Sequence, residues 1–107
     1  MNIEVTGKDV KASKLLRERM ELKLGKIEQR LGEKLYVRVK LTSESSHSFT
    51  CGIHFQSVGH DFNSTATSSD IIKAGDEALA KIERQVSKVQ HRPESYRNSS
   101  IRDQPSL

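Results

Sequence analysis

The feature that most constrains this chain is a strict alternation of apolar and polar residues in two neighbouring segments. Residues 35–42 read LYVRVKLT, and residues 49–55 repeat the pattern as FTCGIHF. Successive side chains of a strand point to opposite faces, so the alternation predicts two strands with one buried face each. A polar turn at 44–47 joins them, and a weaker alternation at 62–66 adds a further strand after Gly59. The middle of the chain is therefore predicted to be a three-stranded meander.

On both sides of this meander, apolar residues recur every three or four positions, which is the spacing of a helix. Ser13 is a candidate N-cap for the first helix and Gly32 its C-terminal stop, while the polar cluster at 68–70 precedes the second helix. A short strand over residues 1–6 comes before the first helix, and the apolar period of the second helix ends after His91. The apolar positions of the two helices are Leu16, Met20, Leu24, Ile27 and Leu31, then Ile71, Ala74, Ala78, Ile82, Val86 and Val89.

The order of these elements, β-α-β-β-β-α, predicts a two-layer α+β domain. A crossover through the first helix makes strands one and two parallel if they are neighbours, and the hairpins then leave strand four parallel to strand one. Each helix leaves such a strand and runs back across the sheet. We therefore expect a four-stranded sheet with two parallel helices on one face. This domain is predicted over residues 1–92, followed by a mobile C-terminal tail over residues 93–107.

The composition indicates a soluble domain with an excess of positive charge. Lys and Arg number 18 against 14 Asp and Glu, a formal net charge of +4. No apolar run approaches the roughly 18 residues that span a bilayer, and the N-terminus lacks the pattern of a secretory signal. The single Cys51 allows no internal disulfide and no multi-cysteine zinc site. We expect a cytoplasmic protein with no membrane partner, metal, cofactor or small-molecule substrate.

Cations are segregated on one flank of each predicted helix. At about 100° per residue, the basic side chains fall on one side of each apolar stripe and most acidic ones on the other, although Glu77 intrudes on the basic side. With parallel helices, both basic flanks look the same way and one lines the groove between the helices. This arrangement favours a polyanionic partner, and a solvated helix surface is the alternative. The basic residues are Arg19, Lys23, Lys26 and Arg30, then Lys81, Arg84, Lys88 and Arg92.

The histidines leave an enzymatic alternative open. No glycine-rich phosphate loop and no metal-binding histidine motif is present, but His54 and His60 could serve as acid and base of a small ribonuclease. Isolated surface histidines are the commoner case. Stacking of single-stranded RNA on a sheet needs several exposed aromatic rings, and only Tyr36 is expected on the polar face, since the three phenylalanines face the core. Phosphate contacts from the helices to structured RNA fit better, and a protein-interaction domain is the third alternative.

Three segments of the sequence resemble a known family. They are MNIEVTGKDV at the start, LGKIEQRL at the end of the first helix, and DIIKAGDEALAKIERQVSKVQHR in the second. Together they are similar to the ribosome hibernation-promoting factor and protein Y family over about residues 1–92. Asp70 and Asp76 keep the family's spacing ahead of a K-[LI]-x-R-Q-x-x-K run. The chain departs from the family at Ile72, where an aromatic is usual, and at Gly75, where an aliphatic is usual.

The resemblance implies a non-catalytic hibernation factor with a fold similar to a double-stranded-RNA-binding domain with an extra strand. Such a factor binds the small ribosomal subunit in the channel used by mRNA and tRNA and blocks translation in idle ribosomes. Ribosomal RNA is then the main partner, with a ribosome modulation factor acting alongside, and a chain ending at Leu107 matches the short form of the family. The motif match assigns RNA binding to Lys81, Arg84, Gln85, Lys88, His91 and Arg92, and the charge geometry adds Arg19, Lys23, Lys26 and Arg30.

Overall fold

A computed structural model of the chain describes the backbone of residues 1–8 and 14–96 and the side chains of residues 1–7 and 14–89. The elements follow the predicted order, which confirms the α+β class. Ser13, the predicted N-cap of the first helix, lies outside the described residues. The elements are β1 (Asn2–Lys8), α1 (Lys14–Leu31), β2 (Tyr36–Ser45), β3 (Ser48–Ser57), β4 (His60–Ser68) and α2 (Ile71–Tyr96).

The four strands form one sheet in the order β1-β2-β3-β4. β1 and β2 are parallel because α1 carries the chain back between them, whereas the β2–β3 and β3–β4 pairs are antiparallel and joined by short turns. One row of partners crosses the whole sheet, from Val5 through Val39 and Ile53 to Ser64. This row and its inward-facing neighbours form the floor of the core, and the other face of the sheet is open.

Both helices pack on the inward face of the sheet and run parallel to each other. Arg19 contacts Asp76 and Arg30 contacts Ser87, so the two contacts share an offset of 57 residues. Phe49, which was expected in the core, is only half-buried. The largest fully buried side chains come from both layers: Phe55, Phe62, Leu16, Met20, Leu24, Ile27, Leu35, Leu41, Ile53, Leu79, Ile82 and Val37.

The close approach of the two helices depends on Gly75. A Cβ atom at this position would lie 2.5 Å from Leu16 Cδ1 and 3.2 Å from Met20 Cε, and both of those side chains are buried. Protein cores are close-packed, so a larger residue here would push the helices apart. The departure from the family pattern at Gly75 therefore has a packing reason in this chain.

The ends of several elements differ from the prediction. β1 continues to Lys8 instead of ending at Thr6, and the helical backbone of α2 continues to Tyr96, four residues past the predicted boundary at 92. Val89 packs against the core and is the last residue of α2 whose side chain the structure describes. The helical backbone therefore extends beyond the end of the apolar period predicted after His91. Residues 97–107 lie outside the described residues, so the tail stays a prediction.

Local hydrogen bonds fix the helix boundaries that the sequence indicated. Gly32 has a φ of 70°, and its N–H donates to the Glu28 carbonyl at 2.9 Å, which ends α1 as expected for a glycine stop. At the start of α2, the Asp70 carboxylate accepts a hydrogen bond from the Ile72 N–H at 2.8 Å. Asp70, the first aspartate of the family motif, is thus the N-cap of α2.

Candidate nucleic-acid interface

The basic flank of α1 lines the groove between the helices, as predicted. Arg19 makes a two-pronged contact with Asp76: Nε lies 3.0 Å from Oδ1 and Nη2 lies 2.6 Å from Oδ2. The hydrogen bond and charge of Asp76 raise the pKa of Arg19. Asp76, the second aspartate of the family motif, therefore holds α2 against α1, and its carboxylate neutralises the charge of Arg19.

Arg30, at the other end of the same flank, makes a contact of a different kind. Its Nη2 donates to the Ser87 hydroxyl at 3.0 Å. This bond joins the C-terminal end of the α1 flank to α2. Arg30 also remains exposed to solvent. It therefore links the two helices while its side chain reaches the surface.

The basic flank of α2 lies over the outer edge of β4. Lys81 Nζ donates to the Thr65 carbonyl at 2.7 Å. The Gln85 side chain forms two bonds with Asn63: its amide nitrogen donates to the backbone carbonyl at 2.5 Å, and its oxygen accepts from the backbone N–H at 3.2 Å. Backbone groups on an edge strand otherwise invite pairing with another chain. Gln85 thus covers this edge, a role that sequence reasoning missed.

Four predicted cations keep their head groups available. Within the part of the chain that the structure describes, none of them has an ion pair. The 57-residue offset places Lys26 level with the half-buried Glu83 across the helices, one residue before Arg84. We call these residues the cationic band, and they are Lys23, which is half-buried, and the exposed Lys26, Arg84 and Lys88.

The last two predicted site residues, His91 and Arg92, lie in the helical backbone of α2, but their side chains fall outside the described residues. Their assignment to RNA binding stays a prediction. The predicted site residues thus differ in the groups that they contact. Arg19 is bound to a carboxylate, Arg30 and Lys81 to neutral oxygens, and Gln85 to a strand edge.

The ribonuclease alternative fails on geometry. His54 stands on the open face of the sheet, with Nε2 3.3 Å from Asp61 Oδ1. His60 pairs with the buried Ser57 and lies near Phe62, so it belongs to the opposite face. Two imidazoles on opposite faces of one sheet cannot act as acid and base on the same phosphate. Hydrogen bonds from Gln56 and His54 lower the pKa of Asp61, which fits an exposed polar contact.

Two further properties concern only the described residues. They contain no group of three or more His, Cys, Asp or Glu side chains placed to hold a metal ion. Neither of their helices combines the length and the hydropathy that crossing a membrane requires. Cys51 is buried between β2 and β4, and desolvation raises its pKa to about 11, so its thiol stays protonated at neutral pH.

Comparison with known proteins identifies the family. The model of the family described as sigma 54 modulation protein / S30EA ribosomal protein matches residues 3–94. The chain belongs to the S30EA family. The resemblance seen in the sequence is thereby confirmed, and the matched region contains the cationic band together with the contacts that hold its two helices.

Solved structures show the S30EA fold in other organisms. A ribosomal subunit interface protein from Coxiella burnetii is 27% identical, with a TM-score of 0.71, and the match covers 84% of this chain and 98% of that one. The N-terminal domain of Thermus thermophilus Protein Y is 22% identical, with a TM-score of 0.73 and coverage of 83% and 99%. The second likeness concerns the fold alone. No curated protein matches this chain significantly in sequence.

Proposed function

We propose that this protein binds the small ribosomal subunit in the channel used by mRNA and tRNA and thereby blocks translation in idle ribosomes. The observation that carries the proposal is the cationic band, which two parallel helices present side by side in a chain of the S30EA family. The similar Coxiella burnetii protein is described as a ribosomal subunit interface protein, which points to the same partner.

Phosphate contact is the chemistry that the band supports. Lys and Arg side chains that neutralise RNA phosphates release condensed counterions, and this release supplies most of the sequence-independent affinity. Phosphate contacts also fix the orientation of a protein on a folded RNA without reading its bases. Arg84 can in addition form a two-pronged bond with a phosphate, which a lysine cannot.

Contacts made by residues beside the cationic band hold the two helices that carry it in position. The Arg19–Asp76 pair sets the register of the two helices, and Gln85 fixes α2 against β4. The band is therefore presented by a rigid two-layer domain. Blocking translation then needs no catalytic step, because a domain that occupies the channel excludes mRNA and tRNA. Such a protein would work in the cytoplasm, where a ribosome modulation factor could act alongside it.

Co-sedimentation with purified ribosomal subunits tests this proposal. The wild-type protein should travel with the small subunit and inhibit translation in vitro. The Arg84→Glu/Lys88→Glu variant should stay at the top of the gradient and lose inhibition, with its circular dichroism spectrum unchanged, because both side chains are exposed.

A charge-matched control is available on the opposite flank of α1. Lys14 and Arg17 are exposed, and their reversal to Glu places negative charge near the N-terminus of a helix, where it is tolerated. This control should bind like the wild type. Equal loss of binding in both variants, or a wild-type protein that sediments free of the small subunit, would rule out the band as the docking surface.

A further inference from the structure

Gly52 occupies a position where the fold gives no reason for a glycine. It lies in the middle of β3, a central strand, and its φ is not positive. A Cβ atom there would meet only ordinary contacts: the Ser64 carbonyl oxygen at 3.8 Å, Thr65 Oγ1 at 3.9 Å and the Lys40 carbonyl oxygen at 4.0 Å. Glycine inside a strand costs stability and often marks the close approach of a ligand.

A hollow of about 300 Å³ lies over Gly52 on the open face of the sheet, on the side away from the helices. Its polar lining comes from all four strands and includes two cations, an imidazole, an amide and two hydroxyls, together with the carboxylate of Glu4. Apart from Glu4, these side chains belong to Arg38, Lys40, His54, Asn63, Thr6 and Thr65. The hollow is open to solvent, so a polymer can enter on one side and leave on the other.

The charges around the hollow suit an anion. Lys40 has no ion pair within the described residues. Arg38 faces the Glu4 carboxylate at 3.8 Å, but the two side chains are 80% and 69% exposed, and such a loose surface pair contributes little and is easily displaced. The other carboxylate nearby, Asp61, is held by His54.

A flat aromatic ring adjoins the hollow. Arg38 and His54 also line a neighbouring depression that reaches Tyr36, whose side chain is 63% exposed. Lys34 Nζ lies 5.6 Å from the centre of the Tyr36 ring, which adds positive charge at this end. A cation pair, hydroxyl donors and one exposed ring match the phosphate, the ribose and the base of one nucleotide.

We propose that the hollow over Gly52 binds one unpaired nucleotide of an RNA strand, with its base on Tyr36 and its phosphate against Arg38 and Lys40. A single ring provides a single stacking position, so the site holds one base and the strand continues into solvent on both sides. This site lies on the face opposite the cationic band and does not depend on it.

Titration of the ¹⁵N-labelled protein with the tetranucleotide rA4, followed by NMR, tests this site directly. We expect amide shifts centred on Gly52, Arg38 and His54. Gly52→Val should weaken binding at least tenfold because its side chain fills the hollow, while the room for a Cβ leaves the fold intact. Arg38→Gln/Lys40→Gln should weaken binding similarly with the hollow still open. Thr42→Val, on the same face outside the lining, is the matched control and should change affinity less than twofold.

The remaining outcomes are decisive against the proposal. Shifts confined to α1 and α2, or unchanged binding by Gly52→Val, would overturn it. Adenosine monophosphate binding as tightly as rA4 would assign the hollow to a free nucleotide instead of an RNA strand. This titration uses no ribosomes, so its failure leaves the proposed function standing, and failure of the co-sedimentation experiment leaves the hollow untouched.

Discussion

The number of cations available to phosphates sets how steeply ribosome binding should fall with salt. The cationic band contributes four, and Lys81 adds one more because its acceptor is a carbonyl oxygen. Arg19 is left out because Asp76 cancels its charge. Five phosphate contacts give a slope of about −4.5 for the logarithm of affinity against that of salt concentration, which is roughly a five-hundredfold loss of affinity between about 50 and 200 mM salt.

Single substitutions test which residues contribute to this salt dependence. Arg84→Gln should reduce the slope by about one, whereas Arg17→Gln, on the other flank of α1, should leave it unchanged. The assay is fluorescence anisotropy of N-terminally labelled protein titrated with small subunits at fixed magnesium concentration. A wild-type affinity that is flat over this salt range would refute phosphate binding. An Arg17→Gln effect as large as that of Arg84→Gln would refute the assignment of the band.

Two further predictions concern stability. Val58 and Gly59 form the turn between β3 and β4 with φ values of 47° and 77°, and a left-handed conformation costs a β-branched residue about 1–2 kcal/mol. Val58→Asn should therefore raise the melting temperature in calorimetry by about 4–8 °C, and a decrease would show that the turn is not strained. The Glu28 carboxylate accepts a hydrogen bond from the Leu35 N–H at 2.8 Å, which lowers the pKa of Glu28. Because the folded pKa lies below the unfolded one, this contribution is present above the unfolded pKa and is lost as pH falls through the folded pKa. Glu28→Gln should thus lower the melting temperature at pH 7 and match the wild type in acid below that range, and an equal deficit at both pH values would contradict the linkage.

The two layers of this fold could be predicted from the sequence, because buried residues recur with a regular period in both the strands and the helices. Alternation in residues 35–42 and 49–55 specified which faces of β2 and β3 are buried, and helical spacing did the same for α1 and α2. The left-handed conformation of Val58 had no such signal, since no propensity favours valine there. The register of one helix against the other was equally hidden, because it depends on contacts between residues 57 positions apart.

Two glycines carried information that the sequence reasoning did not use. Gly75, on an otherwise apolar side of α2, marks a place where Leu16 and Met20 leave no room for a side chain. Gly52 interrupts an alternating strand and marks the hollow on the open face. Both positions follow the general rule that a glycine within a regular element indicates close approach of something else. No sequence signal indicated the contact between Gln85 and Asn63. Gln85 bonds with backbone groups of Asn63, and every non-proline residue carries such groups.

Helical spacing alone cannot separate a cation that binds RNA from one that holds the domain together, since both occupy the same flank of a helix. The acceptor makes the distinction. A carboxylate removes the charge of Arg19 from the surface, whereas the carbonyl bonded to Lys81 leaves that charge in place. The positive surface on the helix side is thus larger than the cationic band but smaller than the full predicted stripe. Together with Arg38 and Lys40 on the open sheet face, it gives the domain cations on two opposite sides. The proposed place of the protein, in the channel used by mRNA and tRNA, would bring RNA to more than one side of the domain, and this distribution of charge suits such a place better than contact with a single flat surface.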